Sequence, residues 1–320
     1  MSGAAVKRNF VLLAVVLVAL FLMQFALTDY YVMTATRMMA LAIFAVGYNL
    51  LLGYVGLLSL GHAIFFAAGL YGAGLATYHL GTSVPLAFMG GILAATVLAA
   101  VIGAVALPTM RVSFMIVTLM FSQVGFLTTL YFAEYTGGQD GLPLPKAARS
   151  FMIGDWTVNL ADQMVRYNIA FGLLAAALLF SFLLLVSRKG RIFAAIRENE
   201  GRTEMLGFNT FSAKLEAFIY SGLIAGAAGA AYGLLFGYIG STFASIQYSI
   251  EVLLFTLLGG AGTLLGPLVG VALMMTLIDR LSELTSAYLL VIGVVLIVLV
   301  LWFPKGILGT IRERWLPWLM

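Results

Sequence analysis

Apolar runs near twenty residues long recur along almost the whole chain, and this narrows the possible folds more than any other feature. A helix of that length crosses a hydrocarbon core about 30 Å thick. Only 9% of the residues are charged and 62% are hydrophobic, with a mean hydropathy of +1.07. Soluble domains carry roughly a quarter charged residues. The sequence therefore predicts an all-α polytopic membrane protein. Its net charge of +4 does not point to nucleic acid, because the basic residues fall where membrane topology would put them. The absence of cysteine excludes disulfides and thiolate metal sites.

Lys7-Arg8 followed by Phe10 to Leu27 reads as an uncleaved first helix. The run is long for a signal peptide, and no small-x-small site follows it. Further spans are expected at about 34–53, 59–79, 84–107, 112–133 and 165–186. These make residues 1–187 a first membrane block of six spans, with an external loop over 134–164. Lys7/Arg8, Arg188/Lys189/Arg191 and Lys305/Arg312/Arg314 should all face the cytoplasm, which places both termini there.

The second membrane block, 214–304, begins with a span at about 214–238 and ends with one at about 285–303. Residues 241–278 between them must form two short spans or a re-entrant hairpin. The total is about ten membrane segments, or eight plus a hairpin, followed by a cytoplasmic tail over 305–320.

Two glycine-dense stretches are expected to interrupt helices. One contains Gly53, Gly56 and Gly61; the other contains Gly259, Gly260, Gly262, Gly266 and Pro267. Non-helical backbone at membrane depth is tolerated only where protein or a water-filled cavity covers it. The second turn should therefore be buried or reach the cytoplasmic surface. Interrupted helices mark transport paths in some folds, whereas glycines elsewhere permit close helix packing. Both readings apply to these two stretches, while Leu223 to Gly233 reads as a packing face.

Polar residues within spans are few: Gln24, Asn49, Ser59, His62, Arg111, Thr118, Ser122, Gln123, Glu251 and Asp279. Ser59, His62, Ser122, Gln123 and Glu251 are the candidates for lining a pathway. The competing reading makes His62 a hydrogen-bonded packing residue near the cytoplasmic end of its span, and Ser122-Gln123 a bond to a neighbouring helix. Glu251 is expected near the outer surface, and Arg111 should snorkel to the cytoplasmic interface. No HExxH, GxSxG or paired-histidine pattern occurs, no cofactor is implied, and a Walker A loop is missing. Any energy for transport must come from another chain.

The segment from Arg188 to Glu216 holds ten of the thirty charged residues. It cannot lie in lipid, so residues 188–213 form an aqueous loop between the two blocks. Arg191 to Leu206 fits one short amphipathic helix, supported by a Glu198–Arg202 pair and ended by Gly207 in the left-handed region. Tied to a span at each end, such a helix can pass a partner's movement to the membrane part. A plain solvated connector is the alternative.

Four stretches carry a family resemblance. They are Gly47-Tyr48-Asn49-Leu50-Leu51-Leu52-Gly53 running into Leu58-Ser59-Leu60-Gly61-His62, Ala195 to Gly207, Leu258 to Pro267, and Phe303-Pro304-Lys305-Gly306-Ile307. Together they resemble the branched-chain amino-acid permease family, the Liv-type membrane subunits of ATP-binding cassette importers. Thr136 to Leu142 is similar to the outer loop of the longer of the two permeases. The resemblance implies coupling to ATPases through Arg197, Glu198, Glu200, Arg202, Glu204 and Gly207. Counting back six positions from Gly207 gives Gly201-Arg202-Thr203, where the general importer pattern has Glu-Ala-Ala, so Gly207 is the best-matched residue. The implied partners are a second permease, two cytoplasmic ATPases and an external binding protein, in a bacterial inner membrane. The implied cargo is leucine, isoleucine or valine, with urea, amides and other amino acids as alternatives within the class. A stand-alone channel or secondary transporter is the reading from another class.

Overall fold

The computed structural model describes residues 3–109, 111–153, 156–285, 287–316 and 318–319. Among the described residues fourteen α-helices run in chain order: α1 Gly3–Ala26, α2 Asp29–Asn49, α3 Ala63–His79, α4 Val84–Ala106, α5 Arg111–Tyr131, α6 Ala133–Thr136, α7 Gln163–Val186, α8 Arg188–Glu198, α9 Glu200–Met205, α10 Thr210–Phe236, α11 Ile246–Gly259, α12 Gly266–Leu284, α13 Tyr288–Trp302 and α14 Ile307–Arg314. Six helical stretches among the described residues are long and apolar enough to cross a membrane: Gly3–Ala26, Asp29–Val55, Val84–Ala106, Val112–Tyr131, Gln163–Val186 and Thr210–Phe236.

Burial sorts these helices into a centre and a periphery. Nearly all of α2 beyond Met38 is buried, as is the glycine- and alanine-rich α10. These two form the centre with α3 and α4. Along α10, Gly222, Gly226 and Gly229 let its backbone approach α3 and α4 closely; a Cβ at Gly229 would overlap the Phe66 carbonyl of α3. This close packing agrees with the expected packing face over 223–233. By contrast α1 is largely exposed and apolar, held against α7 partly by the Tyr167 hydroxyl donating to the Leu20 carbonyl at 2.5 Å.

Asp29, the residues joining α5 to α7, and the α10–α11 connection share one end of the bundle. There β1 Leu142–Pro143 pairs antiparallel with β4 Tyr238–Ile239, and β2 Ser150–Ile153 forms a hairpin with β3 Trp156–Asn159. Gln163 reaches Asp29 there, its side-chain amide donating to the Asp29 carbonyl at 2.7 Å. The opposite end gathers α8, α9 and α14, where Arg312 of α14 donates to the Gly262 carbonyl at 3.1 Å. Asn9 of α1 meets the C-terminal residues, donating to the Trp318 carbonyl at 2.6 Å.

Several expectations require correction. The span expected at 34–53 begins at Asp29 and continues without a break through a wide π-helical turn, Leu50–Val55. Gly53 is therefore not a backbone break; it lies inside that turn, where its missing side chain lets the Gly262 backbone come close. The break is 56–62, beginning at Gly56 with φ +82°, so the following helix starts at Ala63 rather than 59. In the charged loop, one expected helix is two. Asn199 adopts an extended conformation between α8 and α9, and its Oδ1 accepts from the Arg202 amide at 2.9 Å. This break places Glu198 and Arg202 in different helices, and no ion pair joins them among the described residues. The side chain of Arg111 lies outside the described residues.

Residues 241–278 resolve into two helices, the 14-residue α11 and the 19-residue α12, joined by a turn at 260–265. Gly260 and Gly262 have φ of +118° and +81°, which a side chain would strain. Pro267 opens α12 within its first turn, where its missing N–H costs nothing.

Candidate functional site

Two interruptions of the helical backbone meet near the mid-depth of the bundle. Helix α2 with its π turn runs about 40 Å from one end to the other at 1.5 Å per residue. Residues 56–62 then climb back without helical structure, and α3 begins part-way up. Helix α10 runs the opposite way, and residues 237–245 descend before α11 begins part-way down. Two bonds fix the depth. The Ser122 hydroxyl, halfway along α5, donates to the Ala244 carbonyl at 3.1 Å, and the Ala63 amide donates to Ser249 Oγ of α11 at 2.9 Å. The two units α2–break–α3 and α10–break–α11 are thus oppositely directed. The structural counterpart of the first break is 237–245, and not the second glycine-dense stretch.

The orphaned backbone at these breaks is bonded to side chains. Thr118 Oγ1 accepts from the Leu60 amide at 3.3 Å, and Tyr48 donates to the Ser59 carbonyl at 2.9 Å. Phe44, Phe66, Tyr232, Phe243 and Tyr248 pack around the meeting point, with ring centroids 4.9 Å apart for Phe44–Phe66 and 5.2 Å for Phe66–Tyr248. Such clustering fills the space beside irregular backbone with apolar mass and supports it where no ladder of helical bonds exists.

At the α8–α9 end the charged segment is bolted to the membrane part. Phe193 and Ile196 are buried in a small cluster with Val55 and Ala217, which seats α8 beneath the π turn and α10. The Arg197 guanidinium donates to the Gly53 carbonyl and lies beside Gly262. Asn49 clamps the same place from α2: its Nδ2 donates to the Thr263 carbonyl at 2.9 Å, and its Oδ1 accepts from the Gly262 amide at 2.8 Å. One arginine of α8 thus touches both glycine-rich stretches. A cavity of about 640 Å³ opens beside it, lined by Arg197, Thr263, Lys305 and Arg312 among others.

The remaining loop residues divide by what they touch. Glu200 pairs with Lys214 at 2.5 Å, and Glu204 accepts from the Thr210 hydroxyl at 2.6 Å, so both acids brace the loop against α10. Lys189 pairs with Glu216 at 2.6 Å, and bonds to Glu216 and the Tyr220 hydroxyl hold its ammonium above the usual lysine range. Glu198 and Arg202 are exposed. Gly207 has φ +87° with open space around it, ending α9 as expected. The tip beyond it is apolar yet exposed: Met205 at 83%, Leu206 at 70%, with Phe208 and Phe211 nearby. Their hydrophobicity is visible in the sequence, their exposure only in the structure.

The pathway candidates also separate. Ser59, His62 and Ser122 are fully enclosed by this chain's own side chains. His62 sits at mid-depth rather than at the cytoplasmic end of its span. It is stacked on Phe44 and lies within 3.2 Å of Ser221 Oγ, which itself donates to the Gly47 carbonyl at 2.6 Å. These contacts match the packing alternative for His62, and the backbone bond of Ser122 matches its alternative as well. Gln123 is half-buried, and Glu251 is exposed on α11 below the unwound segment rather than at the outer surface. Arg37 escaped the sequence analysis altogether. A span starting at residue 34 puts it at the interface, whereas α2 starts at Asp29 and carries it two turns inward.

Comparison with known proteins agrees with this architecture. The family described as "Branched-chain amino acid transport system / permease component" matches residues 30–300. The high-affinity branched-chain amino acid transport system permease protein LivM of Salmonella typhimurium is 28% identical, over 98% of this chain and 78% of its own length. Its Escherichia coli counterpart is 27% identical over the same shares. The permease protein LivH of Salmonella typhimurium is 27% identical over 84% of this chain and 91% of its own length. No solved structure matches the chain. The match across most of its length, on a multi-pass helical scaffold, shows that this chain belongs to the branched-chain amino acid permease component family.

Proposed function

We propose that this chain is one of two membrane subunits of an ATP-binding cassette importer for leucine, isoleucine and valine in a bacterial inner membrane. Helices α1, α2, α3, α4, α5, α7, α10, α11, α12 and α13 make ten crossings. Two of them, 56–79 and 240–259, are part irregular backbone and part helix. The turn at 260–265 reaches the same end as α8, which favours ten crossings over eight plus a hairpin. Both termini and the 188–209 lever face the cytoplasm, and the strands of the 134–164 loop face outward, where an external binding protein docks.

The observation that carries this reading is the contact of Arg197 with the Gly53 carbonyl beside Gly262. It gives a partner pushing on α8 and α9 a rigid path to the segments flanking the pathway. Two cytoplasmic ATPases supply that push, and the exposed Met205, Leu206 and Phe208 form the apolar part of the docking surface, with Glu198 and Arg202 at its rim. Glu200 and Glu204 hold the lever's shape. The residues over which a coupling role was expected thus divide between a joint to the membrane part, internal braces and a contact surface.

The test is co-purification. The double variant L206D/F208D, altered at exposed positions, is expected to insert in the membrane normally and to lose its ATPase partners by at least about tenfold. Apolar contacts of this size are worth roughly 1.5–3 kcal/mol each when buried. Undiminished recovery of the ATPases with this variant would refute the assigned docking surface.

A further inference from the structure

Arg37 on α2 and Glu251 on α11 are both exposed on this chain, yet both lie well inside the bundle. Arg37 is eight residues into α2, about 12 Å along the helix from its outer end. Glu251 lies five residues into a helix that itself begins at the depth of Ala244, beside the middle of α5. A charged side chain facing lipid at such depth is costly and rare. Two opposite charges turned to the same region therefore describe a surface that lipid does not cover.

Arg37 lies two turns before Phe44 on one face of α2, Glu251 lies one turn after Tyr248 on one face of α11, and those two rings stack 5.7 Å apart, so both charges flank one contact, while no ion pair within 4.0 Å joins either of them to a described residue. The separation leaves each charge able to take a further partner. Polar and apolar groups complete the surroundings. Tyr232 packs against Phe66 and Phe243 beside this contact, and the Tyr248 hydroxyl is shielded from solvent without a partner among the described residues. The aromatic cluster at the two helix breaks adjoins them. A cation, an anion and an unused hydroxyl next to an aromatic wall match a zwitterion with an aliphatic side chain.

We propose that Arg37 and Glu251 form the charge-recognition point of the passage, Arg37 taking the carboxylate of an α-amino acid and Glu251 its ammonium. The aliphatic side chain then lies towards Tyr232 and Tyr248. This rests on the importer reading above and adds to it the residues that meet the cargo within the membrane. It also means that the membrane subunit contributes to selectivity, beyond what the binding protein delivers.

The experiment measures uptake of labelled leucine, delivered by the binding protein, into proteoliposomes holding the full complex. R37Q and E251Q are each expected to lower uptake about tenfold or more, in line with the loss of one charge-assisted hydrogen bond. R37K should retain more uptake than R37Q, because it keeps the charge. The exchange R37E/E251R should remain as impaired as the single variants, since cargo delivered in one orientation meets the wrong charges. Uptake within twofold of wild type for R37Q and E251Q would overturn the proposal. Recovery in the exchange variant would overturn it too, by making the two residues a structural pair. Loss of the second permease from purified R37Q or E251Q complexes, in proportion to lost uptake, would assign the residues to a subunit interface instead. Wild-type complex that takes up none of the three amino acids would refute the importer reading itself, an outcome separate from all of these.

Discussion

Replacing Arg197 with methionine is expected to abolish ATP-driven uptake while the subunits still assemble. Methionine keeps an unbranched apolar stem of similar reach but has no donors. The substitution removes the charge-assisted bond to the Gly53 carbonyl, worth about 1.5–3 kcal/mol. Helix α8 stays seated, because Phe193 and Ile196 remain buried against Val55 and Ala217. What is lost is the stiff link between the lever and the π turn beside Gly262. A movement imposed on α8 and α9 would then be absorbed where the bond used to be. Co-purification of the ATPases checks assembly, and leucine uptake checks coupling; full uptake by R197M would remove Arg197 from the coupling path.

The second large effect concerns the fold itself. The variant G229V is expected to lower the amount of membrane-inserted protein at least about tenfold. Position 229 is where α10 passes against the backbone of α3, and a Cβ there would overlap the Phe66 carbonyl. The reciprocal contact repeats one turn away, where a Cβ at Gly69 would overlap the Gly226 carbonyl. Backbone on both sides leaves no flexible side chain to give way, so the helices must separate. Overpacking a well-packed core costs about 1–3 kcal/mol, and spreading two central helices falls at or above the upper end. Immunoblots of membrane fractions measure it; wild-type levels would contradict the packing described for α3 and α10.

The membrane class and most helix positions were legible because they follow from length and hydropathy, which are local properties. The fit is good for α4, α5 and α7, whose ends coincide with polar or helix-breaking residues. It is poorer for α2, because Asp29, Tyr30 and Tyr31 look like loop while forming the exposed first turn of a helix that is buried further along. That shift of one and a half turns concealed Arg37. The glycines flag irregular backbone without revealing which role each one plays. Gly53 serves a close backbone approach, and the counterpart of the 56–62 break lies at 237–245, where only Gly237 and Gly240 flag it. Ser59, His62 and Ser122 illustrate a further limit. A polar residue in an apolar run can face a pathway or bond its own chain, and the hydrogen-bond partners that decide this are distant in sequence. In the lever, Asn199 breaks the helix by capping its successor, a local choice that the amphipathic pattern across it does not register.

The most direct test of the whole account is sidedness of energy supply. Proteoliposomes holding the complete complex, with binding protein outside, are loaded with ATP in the lumen and given labelled leucine. Uptake is predicted only when ATP lies on the membrane face that carries Leu206, located by labelling a cysteine introduced at that position in this otherwise cysteine-free chain. Equal uptake without ATP, or uptake driven by ATP on the opposite face, would contradict it.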